Sequence, residues 1–135
     1  MATSLTNELF WLVLTLLMTS LFWLPYIIDR TISQGILSAL WDPYGNTFTK
    51  KKWSLRMMRA HENAIENLAI FAPLVILVQI TGVNSTTTAT ACMIYFFARL
   101  AHYIIFTVAT PVLRILTFLI GFAAQVTLAI TLLGI

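Results

Sequence analysis

Long stretches of this 135-residue chain carry no charged side chain, among them residues 9–28, twenty in a row, and residues 67–98, 32 in a row. A helix needs about 20 residues to cross the hydrocarbon core of a bilayer. The first stretch therefore fits one crossing. The second is too long for one straight crossing, and Thr81-Gly82-Val83-Asn84-Ser85-Thr86 supplies the turn chemistry that divides it. A further break falls at Ala109-Thr110-Pro111, where the proline suits the first turn of a new helix. The pattern predicts four transmembrane helices at about 6–28, 54–80, 86–107 and 111–133, with one long loop at about 29–53. The expected fold is all-α: a single-domain integral membrane four-helix bundle running up-down-up-down. Only 10% of the residues are charged, against roughly 25% in soluble domains, so lipid is the expected solvent for most of the surface.

Smaller features fit this frame. The residues before the first span hold no Lys or Arg, which argues against a cleaved signal peptide. Pro25 should kink or end the first helix. Residues 31–41 are expected to form a short interfacial helix, and Trp41-Asp42-Pro43-Tyr44-Gly45-Asn46 reads as a turn. Trp41, Tyr44 and Trp53 suit headgroup depth. Cys92 is the only cysteine and is expected to be a buried, inert thiol. No metal-ligand spacing is present. A formal net charge of +3, scattered among apolar segments, gives no reason to expect nucleic acid.

Basic residues orient the chain. Arg30, Lys50, Lys51 and Lys52 lie in the long loop, with Arg56 and Arg59 just beyond, while the opposite side has neither Lys nor Arg. The positive-inside rule makes the loop cytoplasmic and both termini external. The charged and histidine side chains of the last three helices then fall at one depth: Arg59, His61, Glu62 and Glu66 where the second helix begins, Arg99 and His102 where the third ends, and Arg114 where the fourth begins. At 100° per residue, Arg59, Glu62, Asn63 and Glu66 share one face of the second helix. Tyr95, Arg99, His102 and Phe106 share a face of the third, and Arg114, Phe118, Gly121 and Gln125 a face of the fourth. His61 points off the polar stripe, toward the interface or a neighbouring helix. Gly121 is expected to permit close packing and Gln125 to bond between helices.

A charge within the membrane costs at least roughly 2.5–3.5 kcal/mol on insertion scales, so it faces protein or water and finds a partner. One reading is a salt-bridged core, in which Glu62 or Glu66 neutralises Arg99 or Arg114. The other is an anion site, because arginine outnumbers carboxylate in the layer and guanidinium binds carboxylate or phosphate bidentately.

Arg59-Ala60-His61-x-Asn63-x-x-Glu66-Asn67 resembles the signature of the MAPEG family, the membrane-associated proteins of eicosanoid and glutathione metabolism. Ala98-Arg99-Leu100-Ala101-His102-Tyr103, followed by Pro111 and Arg114, agrees with it, and the general style is similar to bacterial members. The resemblance implies a homotrimer in a bacterial inner membrane, with glutathione bound between protomers near the cytoplasmic face and a lipophilic small-molecule substrate arriving through the bilayer. By the same resemblance Arg59, Asn63, Glu66, Arg99 and His102 match glutathione-binding positions, and Arg114 matches the catalytic arginine that stabilises the glutathione thiolate. Three positions depart from the pattern: Phe106 and Phe118 stand where tyrosines are found, and Ile115 where a serine is common. Two functions follow. One is a glutathione-dependent transferase or peroxidase acting on lipophilic electrophiles. The other, motivated by the missing hydroxyls, is a non-catalytic structural or accessory subunit of a larger membrane complex. A transporter is a third reading, opposed by the lack of any polar chain crossing the other half of the bilayer.

Overall fold

The computed structural model describes residues 4–42 and 51–135. Tyr44, the rest of the turn at 43–46 and Lys50 lie outside the described residues. Every regular element among the described residues is a helix. α1 (Asn7–Leu21) is capped by Thr6, whose hydroxyl accepts from the Leu9 amide and donates to Gln79 Oε1 at 2.8 Å. The helix opens at Phe22 and Trp23 and resumes as α2 (Leu24–Gln34), with Pro25 in its first turn, where a missing N–H is tolerated. Pro25 thus marks a break and not an end, and the two pieces make one membrane-length run over Asn7–Gln34. Tyr103 closes the break. Its hydroxyl donates to the Phe22 carbonyl at 2.9 Å, and its ring stacks on Phe22 at 3.8 Å.

α3 (Ile36–Leu40) is one short turn within the stretch expected to be interfacial. Its apolar residues Ile36, Leu37 and Leu40 are exposed, as is Trp41. α4 (Lys52–Thr81) is the longest helix and ends on Gly82, whose φ of +73° is the left-handed cap that glycine takes without strain. α5 (Thr86–Thr107) starts with a reciprocal cap. Ser85 Oγ accepts from the Thr88 amide, and Thr88 Oγ1 accepts from the Ser85 amide. The buried Glu8 carboxylate accepts from the Thr88 hydroxyl at this same helix start, where the helix dipole favours an anion. α6 (Pro111–Leu133) follows a three-residue turn and begins on its proline.

The α1–α2 run, α4, α5 and α6 are long and apolar enough to cross a membrane, and they form a four-helix bundle. α5 is its axis, packing against α1, α4 and α6 and holding more buried residues than any other helix. One core cluster surrounds the Phe71–Tyr95 stack, with ring centroids 3.7 Å apart, and includes Val75, Cys92 and Leu128. Cys92 is fully buried, as its sequence context leads one to expect. A second cluster, Phe22, Ala60, Ala64 and Tyr103, lies at the charged end.

Lipid tails are as apolar as leucine, so close packing and interhelical hydrogen bonds hold such a bundle together, and small residues line its contacts. Ala60, Ala64, Ala98, Gly121 and Ala124 play that part here. Gly121 is set against the stem of Arg99: a Cβ added there would lie 3.4 Å from Arg99 Cδ and 3.8 Å from the Ala98 Cβ. Gly121→Ala should therefore be tolerated. Gly121→Leu should lower stability by roughly 1–3 kcal/mol through overpacking. Thermal unfolding of both variants in one detergent checks this, and equal unfolding temperatures would show that the α5–α6 contact is not tight.

Candidate functional site

The charged residues of α4, α5 and α6 meet at one end of the bundle but occupy two different environments. Arg59, Glu62 and Glu66 are exposed along the outer face of α4, and Asn63 between them is partly buried. Arg114, in the first turn of α6, is partly exposed, and its guanidinium carbon lies 5.3 Å from the centroid of the Phe106 ring. Arg99 and His102, by contrast, are inside the bundle, 2% and 4% exposed.

The buried pair has specific partners. Arg99 Nη2 donates to Asn63 Oδ1 at 2.6 Å, tying α5 to α4. Asn67 Nδ2 in turn donates to the Asn63 carbonyl at 2.8 Å, and Gln125 Nε2 donates to the Asn67 carbonyl at 3.0 Å. The expected interhelical bond of Gln125 is therefore present and joins α6 to α4. His102 Nδ1 lies 3.0 Å from the Arg114 carbonyl and 3.2 Å from Thr117 Oγ1. A carbonyl only accepts, so Nδ1 is the donor there; the neutral ring then has its lone pair on Nε2, which is buried and makes no hydrogen bond to a described residue. The rings of Phe106 and Phe118 flank His102 at 5.6 and 6.1 Å.

Among the described residues these side chains do not build a salt-bridged core. Among the described residues the ion pairs are Arg30–Asp42 and Lys51–Asp29, both near the long loop. Among the described residues neither Glu62 nor Glu66 pairs with an arginine. Arg56 is occupied differently: its Nε donates to the carbonyl of Thr107 at 2.8 Å, so a cation caps the C-terminal end of α5. No periodicity in the sequence signals that role, because it joins the start of one helix to the end of the next. His61 meets the neighbouring α2, where the Tyr26 hydroxyl lies 2.7 Å from its Nδ1.

The arrangement can hold an anion at its rim. Arg59 and Arg114 offer guanidinium groups, Asn63 an amide, and Glu66 a carboxylate for a cationic group. The start of α6 adds partial positive charge beside Arg114. A cleft of about 740 Å³ lies elsewhere, at the opposite end of the bundle, between Glu8, Trp11, Asn84 and Ser85. The Glu8 carboxylate there is already engaged by Thr88.

A sequence model of the MAPEG family matches residues 9–134, nearly the whole chain. No curated protein and no solved structure matches it. Four membrane-length helices, a bundle centred on the third span and a match that runs through all of them lead to one conclusion: this chain belongs to the MAPEG family.

Proposed function

We propose that the protein is a glutathione-dependent transferase or peroxidase acting on lipophilic electrophiles, working as a homotrimer with glutathione held between neighbouring protomers. The family includes such enzymes. One observation carries the reading: Arg59, Glu62 and Glu66 are exposed on the side of a spanning helix, Arg114 partly so, and none of them forms an ion pair among the described residues. Charges at bilayer depth are too costly to face lipid. A second copy of the chain and an anionic ligand with one cationic group would cover them together.

Glutathione suits the set of groups present, with two carboxylates, one ammonium and a thiol. When bound, it supplies the sulfur nucleophile. Arg59 and Asn63 would hold carboxylate, and Glu66 the ammonium. Arg114 would stabilise the thiolate, since a neighbouring cation lowers a thiol pKa from about 8.5 and the thiolate is the reactive form. The start of α6 acts in the same direction. Arg99 and His102 would support the site from behind, through Asn63 and the backbone of Arg114. The basic long loop would be cytoplasmic, with both termini outside. The lipophilic partner would come from the bilayer.

A second reading is favoured by the aromatic surroundings of Arg114. Its guanidinium lies over Phe106, and Phe118 stands on the next turn of α6, so neither ring offers a hydroxyl to a sulfur. An accessory subunit of a larger membrane complex would need no such hydroxyl.

The test is glutathione-dependent conjugation of a chlorodinitrobenzene and reduction of a lipid hydroperoxide by the purified protein in nanodiscs. The expected outcome is turnover that falls by about 100-fold or more in Arg114→Ala, the usual scale for removing one group that stabilises developing charge. Wild-type protein with neither activity nor glutathione binding by calorimetry would overturn the proposal. Co-purification with a larger complex would then favour the accessory role.

A further inference from the structure

We infer that Arg99 is a positioning residue whose buried guanidinium turns the Asn63 amide so that its Nδ2 donor faces the ligand, making a carboxylate the group that Asn63 recognises. The inference rests on the glutathione reading above and gives that site a specific acceptor requirement.

Arginine has five N–H donors and no acceptor. The Asn63 atom 2.6 Å from Arg99 Nη2 must therefore be the carbonyl oxygen, and the amide cannot flip without setting donor against donor. Arg99 cannot easily move to allow such a flip. It is 2% exposed, its stem lies against Gly121 of α6, and α5 is packed on three sides. The backbone of Asn63 is also held, by Asn67 from the next turn. With Oδ1 held by Arg99, Nδ2 is the free donor of a partly buried residue on the helix face that carries Arg59, Glu62 and Glu66. It makes no hydrogen bond to any described residue.

The same burial separates the roles of the two residues. A ligand on the outer face of α4 meets little of a side chain that is 2% exposed, but it meets Asn63 directly. Arg99 has no carboxylate partner among the described residues, so its pull on Oδ1 is not shared with one. Asn63 polarised by a cation is a stronger donor than a neutral amide alone, because charge-assisted bonds strengthen their neighbours in a low-dielectric setting.

Asn63→Asp separates donor from scaffold. It keeps an oxygen for Arg99 but replaces the outward donor with an acceptor. Calorimetry on the trimer in nanodiscs, with glutathione and with its diamide (both carboxylates converted to amides), reads the difference. The expected result is an Asn63→Asp protein at least as stable to heat as wild type, with glutathione affinity lowered by about 10- to 100-fold, the scale of a lost hydrogen bond to a charged group, and diamide affinity nearly unchanged. Equal losses for the two ligands, or no loss for glutathione, would overturn the inference. Arg99→Leu is the second arm: with the amide free to turn, preference for glutathione over the diamide should fall by about threefold to tenfold, although Arg99 itself barely reaches the ligand. An unchanged preference would count against positioning. Should wild type bind no glutathione, the proposed function falls and this inference with it. Should wild type bind while both variants bind and discriminate equally, this inference alone falls.

Discussion

An ionised guanidinium placed between membrane helices must find partners, and everything at the charged end of this protein is arranged around that constraint. Arg99 meets it inside the protomer through Asn63, with its stem against Gly121. Arg56 meets it by capping the last turn of α5. Among the described residues Arg59 and Arg114 make no ion pair: Arg59 is exposed on α4 with Glu62 and Glu66, and the partly exposed Arg114 lies over the Phe106 ring. In a medium where an unpaired charge costs several kcal/mol, this division between satisfied and unsatisfied arginines is the most informative property of the molecule. It separates the cations that the described residues already hold from those they leave open.

The central helix gives the division its form. α5 touches all three other spans. One turn of it carries two buried polar side chains, with Arg99 directed to α4 and His102 to the first turn of α6. The two flanking helices therefore present Asn63 and Arg114 on a frame fixed from within. At the other end, Glu8, Ser85 and Thr88 lock the start of α5 to α1. The helix is thus anchored by hydrogen bonds at both ends and by the Phe71–Tyr95 stack between them. Sites held by rigid helices place their donors more reproducibly than sites held by loops.

Much of this was legible in the residues. Uncharged runs mark spans because every charge in lipid is expensive, so the four crossings and the depth of the arginine layer follow from counting. Helical periodicity puts Tyr95, Arg99 and His102 on one face, and all three are buried. It also groups Arg59, Glu62 and Glu66, and all three are exposed. Periodicity gives a direction but no partner. It could not say that Arg99 would take Asn63 and leave Glu62 and Glu66 unpaired, because side-chain length and helix separation decide that choice. It also could not show that Pro25 only interrupts its helix. There the Tyr103 hydroxyl, 81 residues away, satisfies the opened Phe22 carbonyl.

The central claim is that the exposed arginines await an anion between protomers and are not simply salt-bridged to neighbouring copies. An electron cryomicroscopy map of the assembled protein in nanodiscs with glutathione present tests it most directly. The account predicts a trimer with density for glutathione against Arg59, Asn63 and Arg114 at each protomer boundary. Arg59 and Arg114 bonded instead to Glu62 or Glu66 of an adjacent copy, with no ligand between them, would contradict it.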